Sequence, residues 1–155
     1  MSKEFSIPKE VSQITKKLEK AGFEAFLVGG CVRDLLLGRE PKDRDVTTNA
    51  KPEEIITIFP HSFYENTFGT GGVKNEETQD EKLKVIEVTP YRLEGTYSDN
   101  RHPDSVVFSQ KIEDDIQRRD FTVSSLAYSV SKGELFDLYE GQKDIKDKII
   151  KTVGD

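Results

Sequence analysis

Two aspartates separated by one residue, Asp43 and Asp45, lie in a stretch that reads as a short strand from Asp43 to Thr47. Residues two apart in a strand point to the same face, so their carboxylates would stand side by side. Paired carboxylate oxygens suit Mg²⁺, and two such ions about 4 Å apart activate an attacking hydroxyl while stabilising a leaving oxygen. Taken alone, a solvated turn Lys42-Asp43-Arg44-Asp45 is the commoner meaning of this spacing. A second group lies just upstream, in Gly29-Gly30-Cys31-Val32-Arg33-Asp34. Glycines without Cβ let a polyphosphate approach backbone N–H groups at a helix N-terminus, where Arg33 can pair with phosphate oxygens. By itself such a turn is more often plain geometry, but its place directly before the paired aspartates adds weight. Glu87 alternates with Ile86 and Val88 and projects to the face opposite both. An exposed sheet face accounts for it as well as a role as third carboxylate does. His61 and His102 have no second histidine at ligand spacing and read as structural or surface residues.

The elements that must carry these groups follow from periodicity and punctuation. Val11, Ile14 and Leu18 recur at helical spacing between Pro8 and Ala21, and Gly22 follows where a left-handed cap belongs. Ala25 to Val28 reads as a buried strand, Val32 to Leu37 as a helix ended by Gly38, and Pro52 opens a helix that ends near Phe59 and Pro60. Two strands are expected at Phe68 to Val73 and Leu83 to Val88, joined by a mobile polar tip from Lys74 to Lys82. The stretch from Tyr91 to Asp104 has the polarity and length of a functional loop. Ile112 to Tyr128 is mostly helical in pattern with a break near Arg118 to Phe121, then come a strand at Glu134 to Leu138 and a short helix around Asp144. A small mixed sheet with flanking helices results, α+β or α/β, with no repeat and no interdomain linker.

The bulk properties narrow the function classes. A chain of 155 residues fits one domain, and its single cysteine excludes an internal disulfide or a Cys-based metal cluster, so a reducing cytoplasm is expected. No apolar run approaches the roughly 18 residues of a membrane span, and the start lacks a signal peptide's apolar stretch, so no membrane partner is expected. A net charge of −6 is the wrong sign for gripping nucleic acid over the whole surface. Any RNA contact must be local or shared with a partner.

In order, Phe26 to Gly38, Asp43-Arg44-Asp45, Ile86 to Arg92, Arg118-Arg119-Asp120-Phe121-Thr122 and Asp137 to Asp155 resemble the head of the tRNA nucleotidyltransferase (CCA-adding) and bacterial poly(A) polymerase family. The resemblance covers about Phe23 to Asp155, and the sum of ordered motifs is highly specific. It implies an α+β nucleotidyltransferase head of the polymerase-beta-like type, in which Asp43 and Asp45 bind Mg²⁺, with two ions expected and Glu87 as a candidate third carboxylate. It implies that Gly29, Gly30 and Arg33 meet the triphosphate, that Arg119 contacts the incoming nucleotide, and that Asp120 and its neighbours distinguish ribose from deoxyribose. Arg92, Asp99 and Arg101 match charged positions of a flexible loop associated in the family with adding the terminal A. Arg44 stands where the family usually has an apolar residue, and Ser124-Ser125 where an Asn-Ala or Asn-Ser pair is usual. The resemblance further implies a single head domain over residues 1–155, without the family's base-selecting neck or its RNA-binding body and tail. The implied partners are an RNA 3′ end, tRNA or tRNA-like, together with ATP, CTP or other triphosphates. A partner subunit or homo-oligomer would supply the missing RNA-binding surface. The reading from a different class is a nucleotide- or RNA-binding subunit with weak or no catalysis.

Overall fold

The computed structural model describes residues 5, 7–41, 43–64, 71–75, 78–93, 107–117, 122 and 125–148. The chain opens with α1 (Lys9–Lys20), whose Val11, Ile14 and Leu18 are buried at helical spacing, and Gly22 takes φ +95° just beyond its end. There follow β1 (Ala25–Val28), α2 (Gly30–Leu36), β2 (Asp45–Thr48) and α3 (Pro52–Ile58). Pro52 suits the first turn of α3, where the Lys51 amide donates to Glu54 Oε1 at 2.9 Å. Next come β3 (Ser62–Tyr64), β4 (Gly71–Lys74), a 3₁₀ turn at Glu81–Leu83 and β5 (Val85–Pro90). The last part holds β6 (Arg92–Leu93), β7 (Val107–Phe108), α4 (Ile112–Gln117), β8 (Ala127–Ser129), β9 (Glu134–Phe136) and α5 (Gly141–Lys146).

Seven strands form one sheet in the order β3-β4-β5-β2-β1-β8-β9, and β6 pairs with β7 in a separate ribbon. Every neighbouring pair in the large sheet is antiparallel except β2 and β5, which run parallel. Alternation divides the sheet into two faces. One carries Leu27, Val46, Ile86, Val88, Val73 and Tyr128, all buried in the main core with Val11, Ile14 and Leu18 of α1. The other carries Val28, which packs with Tyr91, Ile112, Ile116 and Ala127 in a smaller core on the α4 side. Each fully buried Val, Leu or Ile contributes roughly 1.5–3 kcal/mol, so the larger core supplies most of the stability.

The structure departs from the sequence pattern in several places. The helical reading through Tyr128 is corrected: Ala127–Ser129 form a strand paired with both β1 and β9. Their buried small and aromatic residues fit a pleated slot between two strands, and that pairing overrides a weak helical periodicity. The strand β3 had no signal, being three residues long. The strand expected from Leu83 begins at Val85, because Leu83 lies in the 3₁₀ turn. The proposed mobile tip is tied down at its described residues: Asn75 bonds the backbone of Leu83 and Lys84, and Thr78 donates to Glu10 Oε2 at 2.6 Å. That hydroxyl holds the Glu10 carboxyl below its usual pKa. Among the described residues no helix is long and apolar enough to cross a membrane.

Candidate active site

The carboxylate centre is built by register. Asp45, the first residue of β2, lies opposite Val28 of β1 on one side and Glu87 of β5 on the other. Residues paired across neighbouring strands share a face, and neighbouring strands stand about 4.8 Å apart, so Asp45 and Glu87 project together from the sheet. Asp45 is half-buried and Glu87 exposed, on the face opposite Val46, Ile86 and Val88. Asp43 is exposed and lies two residues before the strand begins, so the expectation that both aspartates share one strand is corrected. Between them Arg44 is buried, its guanidinium Nη1 donating to the Pro41 carbonyl at 3.5 Å. That position faces inward although its side chain is charged. Two residues beyond the carboxylates on the same face, Thr47 and Thr89 are paired, and the Thr47 hydroxyl donates to the Thr89 carbonyl at 3.1 Å.

The glycine turn abuts this centre because Gly29 follows Val28, the register partner of Asp45. Gly29 holds φ 75° and ψ −143°, a combination essentially reserved for glycine, and its carbonyl starts α2 by accepting the Val32 and Arg33 amides at 3.1 and 3.3 Å. The helix therefore begins at Gly30, earlier than the apolar pattern suggests. Gly30 has a different use: a Cβ there would stand 3.2 Å from Arg33 Nη2, so its bare backbone leaves room for the guanidinium. Arg33 is held over the turn by Asp34, whose Oδ1 accepts from Nε and Nη2, each at 3.3 Å. Cys31 points inward, its thiol donating to the Val28 carbonyl at 3.2 Å beside the Asp45 backbone. Burial pushes that thiol up to about 11, which keeps it protonated and inert.

Arg92 lies in β6 with a half-buried side chain, and its amide donates to Asp115 Oδ1 at 3.1 Å. Asp115 is fully buried on α4, with its Oδ2 3.4 Å from the Thr47 hydroxyl. Sequence reasoning missed this residue because it looks like an ordinary acid in a helix's first turn; its signal was a carboxylate at an apolar-periodic position beside Ile112 and Ile116. Tyr91, also fully buried, donates its hydroxyl to Glu24 Oε1 at 3.0 Å, and burial raises its pKa far above the usual value. Asp99, Arg101, Arg119 and Asp120 lie outside the described residues.

The donor chemistry fits a hard divalent cation. Mg²⁺ is ordinarily bound through one or two carboxylates with substrate phosphates and water completing the shell, and Asp45 with Glu87 supplies such a pair on an open face. Among the described residues no group of three or more His, Cys, Asp or Glu is able to hold a metal by itself.

Comparison with known proteins gives one family. The model for the poly A polymerase head domain matches residues 25–151. The CCA-adding enzyme of Lactobacillus delbrueckii subsp. bulgaricus is 44% identical over 141 residues, which is 91% of this chain and 34% of that enzyme. That of Listeria monocytogenes is 45% identical over 141 residues, with the same shares. A crystal structure of the Bacillus stearothermophilus CCA-adding enzyme in complex with CTP superposes with a TM-score of 0.79 at 34% identity, covering 94% of this chain and 33% of that one. A tRNA nucleotidyltransferase complexed with a primer tRNA and an incoming ATP analog gives 0.68 at 26% identity, covering 91% and 39%. The chain thus spans about a third of the length of the curated relatives it matches. With the glycine turn and the carboxylate strands inside the matched span, the chain belongs to the poly(A) polymerase head-domain family.

Proposed function

We propose that this chain transfers nucleotides from ribonucleoside triphosphates to the 3′ end of an RNA, tRNA or tRNA-like, releasing pyrophosphate. The observation that carries the reading is the shared register of Asp45 and Glu87 beside the Gly29–Arg33 turn. Asp45 and Glu87, with Asp43 just upstream of the strand, would hold Mg²⁺ together with substrate phosphate oxygens, in one or two ions, which when bound neutralises phosphate charge and favours the ionised hydroxyl. Arg33, fixed over Gly30, pairs with the triphosphate. Arg119 and Asp120 engage the nucleotide and its ribose. The 3′-oxygen attacks the α-phosphorus, the α–β bridging bond breaks, and pyrophosphate departs while the hydroxyl proton passes to solvent. The protein's part is alignment and charge complementarity, with no covalent intermediate. A non-catalytic binding subunit has no use for two carboxylates at one register, which favours the enzyme. The chemistry belongs in the cytoplasm, where triphosphates and RNA ends meet.

The test is incubation of the purified chain with an RNA of defined 3′ end, Mg²⁺ and each triphosphate separately, followed by sequencing of the extended ends. Extension that vanishes in the Asp43→Ala/Asp45→Ala double variant is expected; equal extension by that variant would sink the reading. The chain by itself should use more than one base, because Asp45, Glu87, Arg33 and their neighbours address groups common to all four nucleotides. Recovery of a strict CCA end would contradict that. Deleting residues 94–100 should reduce ATP use more than CTP use, and an equal loss would remove the loop from base choice. With a net charge of −6, RNA affinity should be low, fall with salt, and rise with a partner subunit or second copy that adds basic surface.

A further inference from the structure

Asp115 is a fully buried carboxylate for which the transfer reaction has no direct use. It lies on α4 between Ile112 and Ile116, both members of the smaller core, so the helix carries an acid into an otherwise apolar contact with the sheet. Its two oxygens reach different strands. Oδ1 accepts the Arg92 amide at 3.1 Å, where the chain enters β6, and Oδ2 lies 3.4 Å from the Thr47 hydroxyl of β2. That hydroxyl also donates to the Thr89 carbonyl of β5 at 3.1 Å. Just after β5 the Tyr91 amide donates to the Thr48 carbonyl at 2.8 Å, so the chain leaving β5 stays against the end of β2. β2, β5 and the entry to β6 therefore meet at one carboxylate.

The meeting point is close to the carboxylate pair. Thr47 and Thr89 are register partners two residues beyond Asp45 and Glu87, on the same face and about 7 Å further along the strands. For stability alone an apolar side chain beside Ile112 and Ile116 would serve as well, because burying a carboxylate costs free energy that its hydrogen bonds only offset. What the acid adds is direction. The main core sets the distance between β2 and β5 from the opposite face, whereas directed bonds to a hydroxyl of β2 and to the amide that follows β5 fix how the two strands are turned on the site face. A cation shared by two carboxylates is sensitive to the orientation of either one. We propose that Asp115, acting through Thr47 and the Arg92 amide, is a positioning residue for Asp45 and Glu87: it fixes the angle at which the pair meets a divalent cation. This inference rests on the nucleotidyl-transfer reading above.

Titration of the 155-residue chain with Mn²⁺ in the absence of nucleotide, with the free ion followed by electron paramagnetic resonance, reads the pair without requiring turnover. Asp115→Ala takes this acceptor from the Arg92 amide and the Thr47 hydroxyl and should weaken Mn²⁺ about tenfold. In the extension assay the Mg²⁺ concentration giving half-maximal rate should rise by a similar factor, with the rate at saturating Mg²⁺ nearly kept. Asp115→Asn, which retains the shape and a carbonyl oxygen for the Arg92 amide, should recover most of the affinity. Ile116→Ala, the next residue of the same helix, opens a cavity in the same core but leaves both contacts, and should keep the wild-type Mn²⁺ affinity per folded molecule. If Asp115→Ala does not fold, Thr47→Val stands in for it with the same expected loss, and Thr47→Ser should restore binding. Wild-type Mn²⁺ affinity in Asp115→Ala, or in Thr47→Val where it stands in, would overturn the proposal, as would an equal loss in Ile116→Ala. If Asp45→Ala abolishes Mn²⁺ binding while Asp115→Ala leaves it intact, the positioning role is wrong and the nucleotidyl-transfer reading stands. Failure of the unaltered chain to bind Mn²⁺ would remove both.

Discussion

The two faces of the central sheet use the same strands for opposite purposes. On the face covered by α1, Val46, Ile86 and Val88 are buried in the main apolar core. On the other face, one residue out of step, Asp45 and Glu87 stand at a common register, with Thr47 and Thr89 bonded to each other beyond them. The core face fixes the spacing of β2 and β5 through packing that a small displacement would disrupt. The site face has only the smaller core of Val28, Tyr91, Ile112, Ile116 and Ala127, and at Asp45 and Glu87 it inherits that spacing. A charged pair on an exposed face would be loose if its own contacts had to place it; here the rigid apolar side does so.

Separating those roles is the purpose of the variants, and the largest effect belongs to the site face. Asp45→Ala should lower nucleotide addition by about a thousandfold or more, roughly 4 kcal/mol in the barrier, while unfolding free energy changes by about 1 kcal/mol or less. Single-turnover extension and thermal denaturation on the same preparation measure both, and parallel loss of fold and activity would mean the faces are not separable. Ile86→Ala, next to Glu87 but pointing the other way, should destabilise by about 2–5 kcal/mol through the cavity it leaves. Its rate per folded molecule should stay near wild type, as read from extension normalised to a denaturant titration.

Cys31 sharpens the comparison from the covered side. Its thiol is raised in the folded state from an ordinary 9.0 to about 11, so the protein keeps this contribution in full below pH 9. Between pH 9 and about 11 the unfolded chain ionises first, and stability should drop by roughly 2 kcal/mol across that window. Cys31→Ala should flatten this part of the stability–pH curve relative to wild type, and at neutral pH the native thiol should resist alkylation. An identical slope in the variant would show that Cys31 is not buried as described. The smallest effect is expected for Glu87→Gln, which keeps shape and loses charge at an exposed position: about a tenfold fall in addition, partly recovered at higher Mg²⁺, with no change in melting temperature. Insensitivity to the substitution would leave Glu87 as an ordinary residue of an open sheet face.

Much of this was legible because it is local. Val11, Ile14 and Leu18 disclose α1, the apolar run Ala25 to Val28 is β1 to the residue, and Gly29-Gly30 ahead of Arg33 marks the strand–turn–helix at the site. Short elements with little periodicity were not legible: β3 spans three residues, and β8 reads as helix until β1 and β9 bracket it. By itself, then, the sequence determined the elements with strong periodicity, the acidic and glycine-rich groups, and the family they resemble, since these depend on residue type and near neighbours. Only the tertiary structure decided which of those groups meet. Asp45 and Glu87 are 42 positions apart and become neighbours through a parallel pairing, which the intervening α3, β3 and β4 allow but no spacing announces. Likewise Asp115 reaches Thr47 and Asp144 reaches Thr122 across the fold, because a buried carboxylate takes the donors that packing brings to it, wherever in the chain they lie.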